Sequence, residues 1–318
     1  GDPTGDGGER SAIIRATVEG VSDTDIPTGS VEIVINGEVA GTVDLTDGAA
    51  EYTWNNIPVG DNSVSIVYSG DSNYSGININ TTYNLEKDDQ AELVIEPVPQ
   101  KTYGDEPFSL VVSGGSGDGA LSYAVTGGDS ASVDENGVVT ILKAGDSVIT
   151  VTKAADTNYN EAVANITISV GKAAPAYSVP TGLTAVYGQT LADVALPSGF
   201  TWRDAADTSV GDAGDNTFTV QYTPEDTENY EVVSDIEVTI SVGKAAPEYT
   251  VPTGLTATYG QILAYVELPE GFTWQDAVTT SVGNAGDNTF MVQYTPGDSA
   301  NYEVVSDIEV TISVGKAA

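Results

Sequence analysis

The chain has 318 residues, with 47 Asp and Glu against 10 Lys and Arg, a formal net charge of −37, and neither Cys nor His. This excludes disulfides, thiol nucleophiles, imidazole bases and most zinc or haem chemistry. The charge repels nucleic acid and anionic lipid, and leaves divalent cations as the favoured ionic partners.

Residues 1–10 read as an N-terminal linker, with Gly1 before Asp2 resembling a cloning remnant. The first folded unit is then expected over 11–87. Within it, Val31, Ile33 and Ile35 precede Asn36-Gly37, and Val39, Val43 and Leu45 follow. Alternating apolar residues around Asn-Gly predict a hairpin, because a type I′ turn needs two residues at positive φ. The unit then runs through "IPVG" to "YSGDSNY" (68–74). A second unit is expected over 88–171, where "SVDENGVVTILKAGDSVITVTKAADTNY" (132–159) holds three short strands.

Units three (172–243) and four (244–315) align without a gap and are identical at 57 of 72 positions. A period this long is a whole domain rather than a solenoid turn. In unit three, Phe218, Val220 and Tyr222 alternate with Thr217, Thr219 and Gln221. Further on, Ile236, Val238, Ile240 and Val242 alternate with Glu237, Thr239 and Ser241. Period-two patterns of this kind predict half-buried antiparallel strands. Residues 316–318 begin the same motif again, so the chain reads as a fragment whose export or anchoring signals lie outside it. No apolar run approaches the ~20 residues that span a bilayer, so no direct membrane insertion is expected.

Between the last two strands of every unit lies one motif: "YSGDSNY", "KAADTNY" (153–159), "YTPEDTENY" (222–230) and "YTPGDSANY" (294–302). Glu225 and Glu228 become Gly297 and Ala300 in the next repeat, whereas Asp226/Asp298, Asn229/Asn301 and Tyr230/Tyr302 stay. Asp and Asn cap turns through side chain to backbone hydrogen bonds. A Tyr at a corner packs its ring on the core and reaches the backbone with its hydroxyl. Tyr74, Tyr159, Tyr230 and Tyr302 are therefore read as structural corners. A Lys marks each boundary, at Lys87, Lys172, Lys244 and Lys316, and Pro175 and Pro247 stiffen two of the linkers.

The hairpin, "IPVG" and "YSGDSNY" of unit one resemble a group of bacterial immunoglobulin-like domains found in tandem on surface proteins. Unit two, through Val133-Asp134, Gly137, Val139-Thr140, Ala144-Gly145 and Ile149–Val151, resembles a second such group seen in adhesins. Units three and four are similar to repeats of large Gram-positive surface proteins. The resemblance implies an all-β chain of four tandem immunoglobulin-like sandwiches in an elongated array. It further implies an extracellular, cell-surface or secreted, non-catalytic stalk that supports adhesion, monomeric as a fragment. The alternative is a ligand-binding adhesin for a glycan or host matrix protein.

The remaining chemistry is sparse. Asp193, Asp207 and Asp212 become Tyr265, Thr279 and Asn284 in the repeat, which argues against catalytic carboxylate pairs. "SGGSGDGALS" (113–122) lacks the ending of a phosphate loop. Trp54, Trp202 and Trp274 are read as core residues, or as sugar-stacking platforms if exposed. No cofactor is required. Calcium is the one candidate, at Asp88 and Asp89, at Asp226 and Asp298, or at the Asp23/Asp25 pair. Lys101, Lys143 and Lys153 leave room for a Lys–Asn cross-link in unit two.

Overall fold

The computed structural model describes residues 10–22 and 24–317, and Asp23 lies outside them. The chain divides into two compact bodies, 1–172 and 173–318, each with two hydrophobic cores.

In the first body, unit one contributes β1 (Ala12–Thr17), β2 (Ser30–Ile35), β3 (Glu38–Asp44), β4 (Ala49–Trp54), β5 (Gly60–Gly70) and β6 (Ser75–Leu85). Asn36 and Gly37 have φ of 52° and 86°, so the β2–β3 hairpin has the expected turn. A four-stranded sheet in the order β3-β2-β5-β6 faces the two-stranded β1-β4 sheet. Val31, Ile33, Val64, Tyr68 and Trp54 fill the space between them. Unit two contributes β7 (Leu93–Ile95), β8 (Lys101–Thr102), β9 (Phe108–Ser109), β10 (Val112–Gly114), β11 (Leu121–Gly128), β12 (Ala131–Val133), β13 (Val138–Ile141), β14 (Gly145–Lys153) and β15 (Ala162–Gly171). Its main sheet runs β11-β14-β15-β8, with the small sheets β12-β13-β9 and β10-β7 beside it. Val139, Ile149, Val151 and Ile168 are wholly buried in its core.

In the second body, unit three contributes β16 (Leu183–Val186), β17 (Phe200–Trp202), β18 (Gly214–Tyr222) and β19 (Val233–Gly243). Unit four repeats these as β20 (Leu255–Thr258), β21 (Phe272–Trp274), β22 (Gly286–Tyr294) and β23 (Val305–Gly315). Each unit has one four-stranded sheet, β16-β19-β18-β17 or β20-β23-β22-β21. Along β19, Ile236, Val238, Ile240 and Val242 are buried while Glu237, Thr239 and Ser241 are exposed, as the alternation predicts. The second layer of each unit is largely irregular. In unit three it is a 3-10 turn (Leu191–Asp193) and the segment leading to Val210, and Leu191, Val194 and Val210 seal the core.

In units three and four the first strand pairs parallel with the last, β16 with β19 and β20 with β23, and in unit two the second strand, β8, does so with β15. The strands read from their alternation as antiparallel, β18 and β19, do pair antiparallel. A run of two to four residues carries no local signal of the direction in which it will pair.

Candidate functional site

The corner motif is a carboxylate-capped turn in all four units. Asp71 Oδ1 accepts from the backbone N–H of Asn73 (2.7 Å) and Tyr74 (2.8 Å), and Asp156 Oδ1 from those of Asn158 and Tyr159 (2.8 and 2.9 Å). Units three and four have one more residue, Glu228 or Ala300. There Asp226 and Asp298 accept from the Asn229 and Asn301 N–H groups with one oxygen and from the same Asn side chains with the other. The Tyr230 and Tyr302 N–H groups fall to the Asp226 and Asp298 backbone carbonyls, at 3.1 Å each. The backbone N–H donors of Thr28, Asn73 and Tyr74 hold the Asp71 carboxyl well below the usual carboxylate range. Those of Asn158, Asp118 and Tyr159 lower Asp156 in the same way.

The corners of units two, three and four also clamp the segment that opens their own unit. Asp88, Ala173 and Ala245 bridge in parallel to Tyr159, Tyr230 and Tyr302. The boundary lysines reach the same turns: Lys87 Nζ donates to the Asp156 carbonyl and Lys244 Nζ to the Ser299 carbonyl, both at 2.6 Å. Asn160 Nδ2 donates to Asp89 Oδ1 at 3.0 Å.

Within each body the corner of the later unit also receives the earlier unit. In the first body, Arg10 is buried, pairs with Asp88 and donates to the Asn158 carbonyl at 3.1 Å. Its own carbonyl accepts from Ile57 N–H, so Arg10, read as linker, is packed against unit one. In the second body, Asn301 is 8% exposed. Its Oδ1 accepts from Ala213 N–H at 2.9 Å and its Nδ2 donates to Asp212 Oδ1 at 3.2 Å. The Tyr302 ring meets Tyr187 edge-on, centroids 5.4 Å apart. Burial, with the Asp298 carboxylate nearby, pushes the Tyr187 hydroxyl above its ordinary value.

The tyrosines therefore play two roles. Tyr74 behaves as a corner residue: its hydroxyl donates to Asp25, lying 3.0 Å from the backbone carbonyl and 2.9 Å from Oδ2, and it accepts from Val21 N–H. Tyr302 turns its ring to the preceding unit, because that unit's Tyr187 offers an aromatic edge there. Trp54 is buried, and Trp202 and Trp274 are half-buried against Phe218 and Phe290. Trp202 Nε1 donates to the Val194 carbonyl at 3.3 Å. Lys101 lies over the Phe108 ring and Lys143 pairs with Asp129. Among the described residues no three acidic groups converge as a metal site requires, and no helix is long and apolar enough to cross a membrane.

Residues 6–85, spanning the hairpin, the two facing sheets and the Asp71–Tyr74 corner, match the family described as bacterial Ig-like domain (group 3). Unit one is similar to that family over nearly its whole length. No curated protein matches the chain. Among solved structures, the fibronectin(III)-like modules of CbhA from Clostridium thermocellum are 17% identical, covering 54% of this chain and 92% of that one, with a TM-score of 0.22. Drosophila N-cadherin EC1-4 is 14% identical, covering 95% and 94%, with a TM-score of 0.22. SGBP-B of the Bacteroides ovatus mixed-linkage glucan utilization locus, solved in complex with a mixed-linkage heptasaccharide, is 15% identical, covering 73% and 72%, with a TM-score of 0.19.

Proposed function

We propose that the chain is a non-catalytic spacer from an extracellular bacterial surface protein, holding an adhesive region away from the cell. The observation that carries this reading is the repeated use of the corner. It caps its own turn, in units two to four clamps the segment that opens the unit, and receives the preceding unit at Asn158 and Asn301. A spacer needs units that resist rotation against one another, and hydrogen bonds at both ends of a short linker supply that resistance. Like charge on neighbouring units opposes their collapse within a Debye length of ~8–10 Å. An immunoglobulin-like family match and an acidic surface without His or Cys also agree with a module outside the cell that performs no chemistry.

The proposal needs no metal. A calcium ion at Asp88 would displace Arg10, and Asp226 and Asp298 already serve as turn caps. Small-angle X-ray scattering in calcium and in EDTA tests both points. Four units of ~35–40 Å, from strands of ~7–10 residues, give a maximum dimension near ~150 Å in both buffers. A compact particle in both overturns the spacer, and a rod only in calcium makes the junction carboxylates metal ligands.

A further inference from the structure

Unit four carries a second copy of the surface with which unit three receives the Asn301–Tyr302 corner. On unit three that surface is Tyr187, Asp212 and Ala213; the repeat places Tyr259, Asn284 and Ala285 there. The supporting loops are built alike in both. Gly211 and Gly283 have φ of 89° and 88°. Asn216 Nδ2 donates to the Asp212 carbonyl at 2.8 Å, and Asn288 Nδ2 to the Asn284 carbonyl at 2.7 Å. Gln189 Oε1 accepts from Val186 N–H at 2.7 Å, and Gln261 Oε1 from Thr258 N–H at 2.6 Å. The Tyr187 and Tyr259 N–H groups donate to Gly243 and Gly315 at 2.9 and 2.8 Å.

Occupancy is what differs. Tyr187 and Ala213 are half-buried under the corner of unit four, whereas Tyr259 is 56% exposed and Ala285 is exposed. The acceptor loop thus keeps its shape without its partner, so docking there costs little reordering. We propose that Tyr259, Asn284 and Ala285 form a docking face for the Asp-x-x-Asn-Tyr corner of a further unit of this same repeat. The incoming Asn would accept from Ala285 N–H and donate to Asn284 Oδ1, and its Tyr would lie edge-on to Tyr259. Asn284 in place of Asp212 keeps an acceptor oxygen while removing a carboxylate that stands near the corner Asp. The inference rests on the spacer reading only in taking the corner as a junction.

The test is a five-unit chain with a second copy of residues 244–315 following Gly315, compared with the four-unit chain by amide hydrogen exchange. Ala285 N–H is expected to exchange at least ten-fold more slowly in the longer chain, approaching Ala213, and to lose that protection when the added copy's corner Asn is changed to Ala. A second chain, with the copy inserted between Gly243 and Lys244, sets the same Asn284-type face against the native corner of unit four and should give the same protection. Fast exchange at that alanine in both chains, with Ala213 or its counterpart still protected and the strand amides of the added unit slow, overturns the inference and leaves the spacer reading standing. Loss of protection at Ala213 as well would overturn the junction itself.

Discussion

Asn301→Ala isolates the junction in the second body. The side chain makes three kinds of bond: it accepts from Ala213 N–H, and it donates to Asp212 and to Asp298. A neutral bond of this sort contributes about 1 kcal/mol net, and the two to partly solvated carboxylates about 0.5–1 kcal/mol each. The total is about 2–3 kcal/mol, of which the bond within the corner, to Asp298, accounts for the smaller part. The cross-unit share, about 1.5 kcal/mol, corresponds to roughly ten-fold in an equilibrium. Since a chain of several units does not unfold in one step, a local readout is needed. Exchange of the Ala213 amide should accelerate about ten-fold in Asn301→Ala while the Ile240 and Val242 amides of β19 stay unchanged. Asp212→Ala should cost less alone, and the double mutant should show a coupling of about 0.5 kcal/mol. Unchanged exchange at Ala213 would refute the junction and reduce Asn301 to a turn residue.

Acid should act first on the first body. The Asp71, Asp134 and Asp156 carboxyls lie below the ordinary value of 3.8 because backbone N–H groups bind their charged forms. Their contribution is complete above that value and is lost as pH falls below it towards the folded values. The thermal midpoint of units one and two should therefore drop between pH 4 and pH 2, and Asp71→Asn should flatten that limb; identical midpoints at pH 6 and pH 2.5 would contradict this. Asp193→Ala should cost unit three about 0.5–1 kcal/mol in urea unfolding, because Asp193 Oδ2 accepts from Thr190 N–H and Oγ1 at the start of the 3-10 turn. Leu191→Ala, at a fully buried position, should cost about 2–5 kcal/mol in the same assay. Tyr74→Phe should lose about 1 kcal/mol from unit one, read from its denaturant midpoint, because Val21 N–H and Asp25 lose the hydroxyl.

Much of this structure was legible in the residues. Period-two alternation placed β18 and β19 and told the buried face of β19 from its exposed one, since one-sided burial leaves no other pattern. Asn36-Gly37 announced its hairpin because few other pairs hold two positive φ angles. The corner was visible as a turn because Asp, Asn and Tyr survive between repeats while Glu225 and Glu228 do not. Its second role was not visible. Asn301 meets Ala213, 88 positions earlier, and no local pattern encodes a partner at that distance. The irregular second layer of units three and four was hidden for a related reason. Leu191, Val194 and Val210 follow neither a helical nor a strand period, and only the sheet opposite explains why they are apolar.

The scarce cations point the same way. With 10 Lys and Arg against 47 acids, any surface site could supply a counter-charge, yet Arg10, Lys87 and Lys244 all reach a corner. Lys87 and Lys244 donate to backbone carbonyls, so relief of like-charge repulsion is not their only use. The turn carbonyls of Asp156 and Ser299 each accept one such bond, from a long flexible donor at the unit boundary. An exposed contact of this kind contributes about 0–1 kcal/mol, too little to decide whether a unit folds. It is enough to bias the direction in which the next unit leaves, because that choice needs only a small difference between otherwise equal orientations. Lys244→Met should therefore leave the unfolding midpoints of both units within about 0.5 kcal/mol of the parent. It should broaden the orientation of unit four relative to unit three, measured by residual dipolar couplings. A shift in stability without a change in orientation would assign Lys244 to the fold instead of the junction.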